Sequence, residues 1–210
     1  MTRRSGLPIA LVAASALVLL STAMAQGRLT GPDRALLDAL AALGHPMADG
    51  FFQAVTWLGS GYLLAPAVLF LVAWLAARGQ GPAAWRMAIA YFGAALTTWL
   101  LKQAIGRERP MLHPALSDFI GMDWSFPSGH TTHAAAFALG LWLSLGGRRP
   151  ETRHLAVLAL GGLVGLVAVS RLYLQVHWPS DVLAGLLVAV GCAGLAAAAT
   201  RKDLTNGRTP

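Results

Sequence analysis

The sequence predicts an all-α integral membrane protein, built as one bundle of six transmembrane helices. Of its 210 residues, 56% are hydrophobic and only 12% are charged, whereas a soluble domain is typically about 25% charged. The mean hydropathy is +0.58. The apolar residues also collect into six runs, each near the roughly 20 residues that one helix needs to cross a bilayer. The chain has too few polar side chains to cover a globular surface, so the lipid bilayer is its expected surrounding.

The six runs follow one another along a single predicted domain, residues 1–210. The predicted spans are Leu7–Ala25, Tyr62–Ala77, Ala84–Leu101, Gly129–Leu145, His154–Ser170 and Pro179–Thr200. The second and fourth are short, so they tilt little or borrow flanking residues. The first run also fits a cleavable signal peptide, because two arginines precede it and Ala-Met-Ala ends it, but its length favours a retained helix.

Between the first two spans, Gly31–Leu43 predicts an amphipathic helix. Pro32 suits its first turn, and a glycine and a proline follow its end. Four leucines share one face of this helix, and Asp33, Arg34 and Asp38 lie elsewhere. The helix is expected to lie on the membrane surface or to cap the bundle.

The basic residues orient the bundle by the positive-inside rule. With the N-terminus inside, ten of the sixteen are cytoplasmic: Arg3, Arg4, Arg78, Arg86, Arg148, Arg149, Arg153, Arg201, Lys202 and Arg208. The other six are Arg28, Arg34, Lys102, Arg107, Arg109 and Arg171. Three polar stretches that adjoin the spans, Lys102–Pro110, Phe126–His130 and Ser170–Asp181, then share the extracytoplasmic side, and residues 201–210 form a cytoplasmic tail. One common site requires such a shared side.

The net charge of +7 does not indicate a nucleic-acid partner. The arginines lie between apolar runs, and no basic patch with interleaved aromatic residues is present in the sequence. The single cysteine, Cys192, lies inside the last apolar run and is interpreted as a small core residue.

His177 and Asp181 form the first candidate pair. Pro179 suits the first turn of the last span, so Asp181 lies in that turn and can reach back to the imidazole of His177. A carboxylate on one ring nitrogen fixes the tautomer and leaves the other nitrogen free to attack. A surface histidine next to a helix-start aspartate is a common alternative.

The Pro-Ser-Gly-His stretch before the fourth span predicts an anion site. Ser128 is a natural N-cap, and the free N–H groups at a helix start suit phosphate. Gly129 lets the backbone approach a ligand, and His130, in the first turn, can donate a proton to a leaving oxygen. An ordinary capped helix start is the alternative, although it does not require His130.

Lys102, Arg109 and Arg171 supply cations beside these two stretches. Arginine binds phosphate oxygens through two parallel hydrogen bonds, and lysine acts as a point charge. Each is alternatively a long side chain that reaches to the membrane interface. That interpretation is preferred for Arg107. Two loop carboxylates, Asp118 and Asp123, lie on the same side and are not assigned a role.

The motifs together resemble the type-2 phosphatidic acid phosphatase superfamily, which includes the vanadium haloperoxidases. The family pattern is K-x6-RP, then PSGH, then SR-x5-H-x3-D. The sequence keeps each element and its spacing, at Lys102 with Arg109-Pro110, at 127–130, and at Ser170-Arg171 with His177 and Asp181. The motifs lie in a core of about residues 84–200, and the fold that the resemblance implies is an acid phosphatase/vanadium haloperoxidase-like helical bundle.

The resemblance implies a phosphohistidine mechanism. His177 attacks phosphorus, Asp181 orients it, and His130 protonates the leaving group and then activates water. Lys102, Arg109, Ser128, Gly129 and Arg171 hold the phosphate oxygens. No metal or cofactor is expected.

The expected substrate is a membrane lipid phosphate or diphosphate, hydrolysed at the outer leaflet of a bacterial-type inner membrane. Undecaprenyl diphosphate is the favoured substrate, and phosphatidylglycerophosphate, phosphatidate and a lipid A phosphate are the alternative substrates. Alternatives of other classes are a vanadate-dependent haloperoxidase, a non-catalytic lipid-binding or lipid-translocating protein, and a purely structural bundle.

Overall fold

The computed structural model describes residues 6–110, 123–144 and 150–199, which form helices joined by short connections. The helices are α1 (Gly6–Ala25), α2 (Thr30–Ala41), α3 (Pro46–Thr56), α4 (Gly61–Ala77), α5 (Gly81–Ile105), α6 (Gly129–Ser144), α7 (Pro150–Tyr173) and α8 (Pro179–Ala199). A 3₁₀ turn, Trp57–Gly59, joins α3 to α4. No strand occurs within the described ranges, which confirms the all-α class. The predicted tail 201–210, Asp118 and the basic residues before Gly6 and between 145 and 149 lie outside those ranges.

Four helical segments are long and apolar enough to cross a membrane. They are Gly6–Ala25, Pro46–Ala77, His154–Tyr173 and Pro179–Ala199. They match the first, second, fifth and sixth predicted spans, so the chain is a multi-pass membrane protein, but the number six is not confirmed. α6 has only 16 residues. α5 is less apolar because it carries Arg86, Lys102 and two threonines.

Large apolar side chains lie on the outside of the bundle. Leu19 on α1, Phe70 on α4 and Leu158 on α7 are all more than 70% exposed. Water disfavours such a surface, whereas lipid tails match it. The exposed faces of these helices are therefore the lipid-facing surface of the protein.

The core lies between α5, α6 and α8. Met87 and Tyr91 of α5 are buried against small residues of α6 and α8, and small residues let helix backbones approach closely in membrane bundles. A Cβ atom on Gly185 of α8 would stand only 2.9 Å from the carbonyl oxygen of Ser128. The beginnings of α6 and α8 are thus held together at one end of the bundle.

α1 packs along α8, the last described helix. The two backbones meet at Gly6 and Gly194, where a Cβ atom on Gly194 would stand 2.7 Å from the carbonyl oxygen of Gly6. Ala10 and Ala13 of α1 are also buried. Small residues make these contacts, so the two helices lie very close to each other.

The predicted amphipathic segment forms α2, but its buried face differs from the prediction. Leu37 is buried, whereas Leu36 is 44% exposed. Asp33, which the pattern assigns to the polar face, is only 3% exposed. Its carboxylate tolerates burial because it accepts hydrogen bonds from two distant residues, Arg107 and Ser180.

Candidate active site

The three polar stretches meet at the end of the bundle where α5 ends and α6 and α8 begin. α5 ends at Gly106, whose φ of 61° is left-handed and suits glycine. The Ser125 N–H then donates to the carbonyl oxygen of Arg107 at 2.8 Å, and the Ser128 N–H donates to that of Asp181 at 3.0 Å. The first of these backbone hydrogen bonds joins the first stretch to the residue that precedes the second, and the other joins the second stretch to the third.

His177 is buried in the connection between α7 and α8, with only 1% of its surface exposed. Its Nδ1 atom lies 3.2 Å from Ser125 Oγ and 3.5 Å from Asp181 Oδ2. The Ser125 hydroxyl donates its one proton to Asp181 Oδ2, so it accepts a hydrogen bond from Nδ1. Asp181 therefore lies next to His177, as the spacing predicts, and the Ser125 hydroxyl makes the hydrogen bonds that link the two side chains.

The second ring nitrogen of His177, Nε2, lies 3.2 Å from Nη1 of Arg109. A guanidinium only donates, so Nε2 is unprotonated and carries a lone pair. Burial lowers the pKa of His177 well below its usual value, and the charges of Arg109, Arg171 and Lys102 lower it further. His177 is thus a neutral imidazole whose lone pair at Nε2 accepts from Arg109, and a neutral imidazole is the form that a histidine nucleophile requires.

Asp181 is held at both carboxylate oxygens. Oδ2 also accepts from the Trp178 N–H at 2.9 Å, and Oδ1 accepts from Nη1 of Arg107 at 2.6 Å. Nη2 of Arg107 donates to Asp33 of α2 at 2.7 Å. The interpretation of Arg107 as a membrane-interface residue is therefore wrong, because the side chain lies inside the protein between two buried carboxylates.

Lys102 and Arg109 share one counter-ion, Asp123. Nζ of Lys102 lies 3.0 Å from Asp123 Oδ2, and Arg109 donates to Asp123 Oδ1. Partial burial would raise the pKa of Asp123, but the two cations outweigh it and lower that pKa. Lys102 and Arg109 thus donate N–H groups to the same anion. In this structure that anion is the carboxylate of Asp123.

Arg171 lies in the last turn of α7 and is only 8% exposed. Nη1 donates to the Thr56 hydroxyl at 2.6 Å, while Nε has no hydrogen-bond partner among the described residues. A buried donor without an acceptor is costly. An anion bound at this end of the bundle would satisfy it.

The first turn of α6 adds Ser128, Gly129 and His130. Ser128 is fully buried, and its hydroxyl contacts that of Thr131 at 3.1 Å. Gly129 faces Lys102, since a Cβ atom on it would stand 4.0 Å from Lys102 Cε. His130 is the second residue of α6 and is half-buried.

The structure places all eight predicted site residues at one end of the bundle. They are Lys102, Arg109, Ser128, Gly129, His130, Arg171, His177 and Asp181. It adds Ser125, Arg107, Thr56 and Asp33, of which the first two lie next to or inside the sequence motifs, whereas nothing in the local sequence marks the others. Within the described ranges, no three His, Cys, Asp or Glu residues group so as to hold a metal ion.

The comparison with protein families agrees with these motifs: the sequence matches the PAP2 superfamily over residues 83–204. The chain belongs to the PAP2 superfamily. Phosphatidylglycerophosphatase B of Bacillus subtilis is 26% identical over 171 residues, which are 80% of this chain and 83% of that protein. Lipid A 4'-phosphatase of Porphyromonas gingivalis is 27% identical over 172 residues, 74% and 67% of the two chains.

A solved structure shows that the fold is also shared. It is a crystal structure of a transmembrane PAP2-type phosphatidylglycerolphosphate phosphatase from Bacillus subtilis, and it superposes with a TM-score of 0.80 over 90% of this chain and 94% of that chain, at 24% identity. With the family match and the two related phosphatases, the chain is an enzyme, a phosphoric-ester hydrolase of the PAP2 superfamily. The resemblance that the motifs predict is confirmed.

Proposed function

We propose that this PAP2 protein is a metal-independent lipid phosphate phosphatase that works through a phosphohistidine intermediate. The observation that carries the proposal is the unprotonated Nε2 atom of His177, which lies 3.2 Å from the Arg109 guanidinium. An attacking nitrogen next to a phosphate-binding cation is the arrangement that phosphoryl transfer to histidine needs.

In the first step, Nε2 of His177 attacks phosphorus. An N–P bond forms, the bond from phosphorus to the lipid oxygen breaks, and protonated His130 gives its proton to that oxygen. Lys102, Arg109 and Arg171 stabilise the charge that spreads over the phosphoryl oxygens. Ser128 and the Gly129 N–H complete the phosphate-binding set.

In the second step, water replaces the histidine. Neutral His130 takes a proton from a water molecule whose oxygen attacks phosphorus, the N–P bond breaks, and inorganic phosphate leaves. The imidazole carries positive charge while it is phosphorylated. Asp181 stabilises that charge through the hydroxyl of Ser125, which bridges the two side chains.

The site is proposed to lie at the outer leaflet of a bacterial-type inner membrane, in a chain that spans it six times with both termini cytoplasmic. In this arrangement α5 and α6 are the two additional spans. Trp99 and Trp124 expose their rings near the site, as aromatic residues do at a membrane interface. A phosphorylated head group then reaches the site while its acyl or prenyl chains stay in the bilayer.

The candidate substrates are undecaprenyl diphosphate, phosphatidylglycerophosphate, phosphatidate and a lipid A phosphate. An outward-facing site favours undecaprenyl diphosphate, which is released on that side. The names of the two related phosphatases favour phosphatidylglycerophosphate or a lipid A phosphate. All four present the same phosphoryl group to the histidine.

Phosphate release from these four lipids, by purified protein in detergent with EDTA, tests the proposal. One or more lipids should be hydrolysed, EDTA should have no effect, and vanadate should inhibit as a mimic of the five-coordinate transition state. His177→Ala should abolish release, and His154→Ala, at an exposed position of α7, should not. Hydrolysis by the His177→Ala variant refutes the mechanism. Binding of these lipids without hydrolysis by the wild type favours the non-catalytic class.

A further inference from the structure

A chain of hydrogen-bonded side chains leads from α2 to the proposed nucleophile, His177. Its members, in order, are Asp33, Arg107, Asp181 and Ser125. Asp33 accepts from Nη2 of Arg107 at 2.7 Å, and Asp181 accepts from Nη1 of the same guanidinium at 2.6 Å. Asp181 in turn reaches His177 through the Ser125 hydroxyl. The Asp33, Arg107 and Asp181 side chains are only 4%, 16% and 0% exposed, so water screens these charges little.

Asp33 is also tied to the helix that carries Asp181. Its Oδ1 atom accepts from the Ser180 N–H at 2.9 Å, and its Oδ2 atom accepts from the Ser180 hydroxyl at 2.6 Å. Ser180 lies in the first turn of α8, where N–H groups lack partners within the helix. Asp33 therefore caps α8 from another helix and fixes the residue that precedes Asp181.

Arg107 alone would work against catalysis. A single buried cation next to Asp181 would offset the negative charge that the phosphorylated, positively charged imidazole needs. Asp33 balances that cation, so Arg107 can fix Asp181 Oδ1 while the carboxylate keeps its effect on His177. Oδ2 is then left for Ser125 and the Trp178 N–H.

We propose that Asp33 and Arg107 are positioning residues of this phosphatase: together they hold the Asp181 carboxylate in the orientation and charge state that His177 requires. The proposal rests on the phosphohistidine function proposed above, and it gives α2, which lies outside the PAP2 match, a part in the reaction. Arg107 contacts Asp181 and Asp33 contacts Arg107 and Ser180, so both residues are expected to act on turnover through Asp181 and not on substrate affinity.

Asp33→Asn and Arg107→Lys test this proposal, with Asp38→Asn as the matched control. Asp38 lies on the same helix but is exposed, and it pairs with its neighbour Arg34. Since a displacement of about 1 Å at a reacting group costs about 100-fold in rate, each test variant should lower kcat by about 10- to 100-fold with KM unchanged. Asp38→Asn should match the wild type in both constants.

The rate of phosphohistidine formation, followed by rapid quench with ³²P-labelled substrate, separates positioning from folding. It should fall in parallel with kcat in both test variants, measured at a temperature where each stays folded in detergent. Arg107→Lys keeps the buried positive charge, so it remains informative if Asp33→Asn does not fold. Adding Asp33→Asn to Arg107→Lys should cost less than it costs alone, because Asp33 acts through Arg107.

The outcomes distinguish this inference from the proposed function. Asp33→Asn and Arg107→Lys variants with the kinetics of Asp38→Asn, or with a raised KM alone, overturn the positioning role and leave the phosphatase standing. An active His177→Ala variant overturns the phosphohistidine function and this inference together.

Discussion

Ser125→Ala removes the one hydroxyl group that joins His177 to Asp181. A hydrogen bond to a charged group contributes about 1.5–3 kcal/mol, and each 1.36 kcal/mol corresponds to tenfold in rate. Full loss would therefore lower kcat by about 10- to 150-fold. The His177 Nδ1 and Asp181 Oδ2 atoms are 3.5 Å apart, roughly 0.6 Å more than an ordinary N–H···O hydrogen bond. A small shift restores a direct contact, so we expect about a tenfold loss.

The assay is steady-state hydrolysis of the preferred lipid in detergent, with kcat and KM determined separately. Ser144→Ala is the control, because its hydroxyl donates to backbone carbonyl groups at the other end of α6. The variant at Ser125 should lose kcat and keep KM. An unchanged kcat, or a loss confined to KM, would refute the bridging role of this hydroxyl.

Three further predictions follow from the contacts. Asp123→Asn should lower KM and the inhibition constant of inorganic phosphate by up to about fivefold, because its exposed carboxylate competes for the same two cations; a higher KM would contradict this. Because the pKa of His177 is lowered only in the folded protein, the unfolded chain binds more protons below about pH 6.5. Unfolding temperatures should thus fall from pH 7 to pH 5, and fall less in His177→Ala; equal slopes would exclude this residue as the cause. Gly185→Ala should destabilise the protein by about 1–3 kcal/mol, because the added Cβ would press on the Ser128 carbonyl group. Gly162→Ala is the control, since open space surrounds that position, and it should not destabilise the protein in this way. Chemical denaturation of both variants would measure the difference, and equal stabilities would contradict the prediction.

The sequence best predicts the placement of the candidate site residues where one motif contains both the residue and the reason for its position. His177 and Asp181 lie four residues apart, and the proline between them sets the start of α8. A short chain segment thus nearly fixes their mutual geometry. Lys102 and Arg109 are likewise placed by the end of α5. They reach a common anion, Asp123, once the helices pack in the predicted bundle.

The supporting residues are harder to predict because their partners lie far away in the chain. Asp33 has the polar position of an amphipathic helix, and only the packing of α2 on α8 brings it to Ser180, 147 residues later. Arg107 has the same chemistry as Arg109, and the spacing of charged residues does not show which of them reaches Asp181. Ser125 precedes its motif by one residue and resembles any loop serine.

Span number and helix bounds were predicted less well for a different reason. Hydropathy measures the average character of a run, but a helix that packs against other helices can carry polar residues along its length, as α5 does. α3 is not predicted, since its apolar residues are too few for a span of their own. The structure joins it to α4 through a single 3₁₀ turn, which lengthens one apolar segment to 32 residues.

The contact between α1 and α8 has a consequence for biogenesis. Among the described helices, α1 is synthesised first and α8 last. The small-residue face of α1 therefore has no partner helix until all the helices between them have been made. Until α8 arrives, Asp181 is absent and Gly6 has no backbone to meet. Completion of the catalytic end and closure of the bundle thus depend on the same late helix, and a chain that stops before α8 exposes an unpaired α1 to membrane proteases.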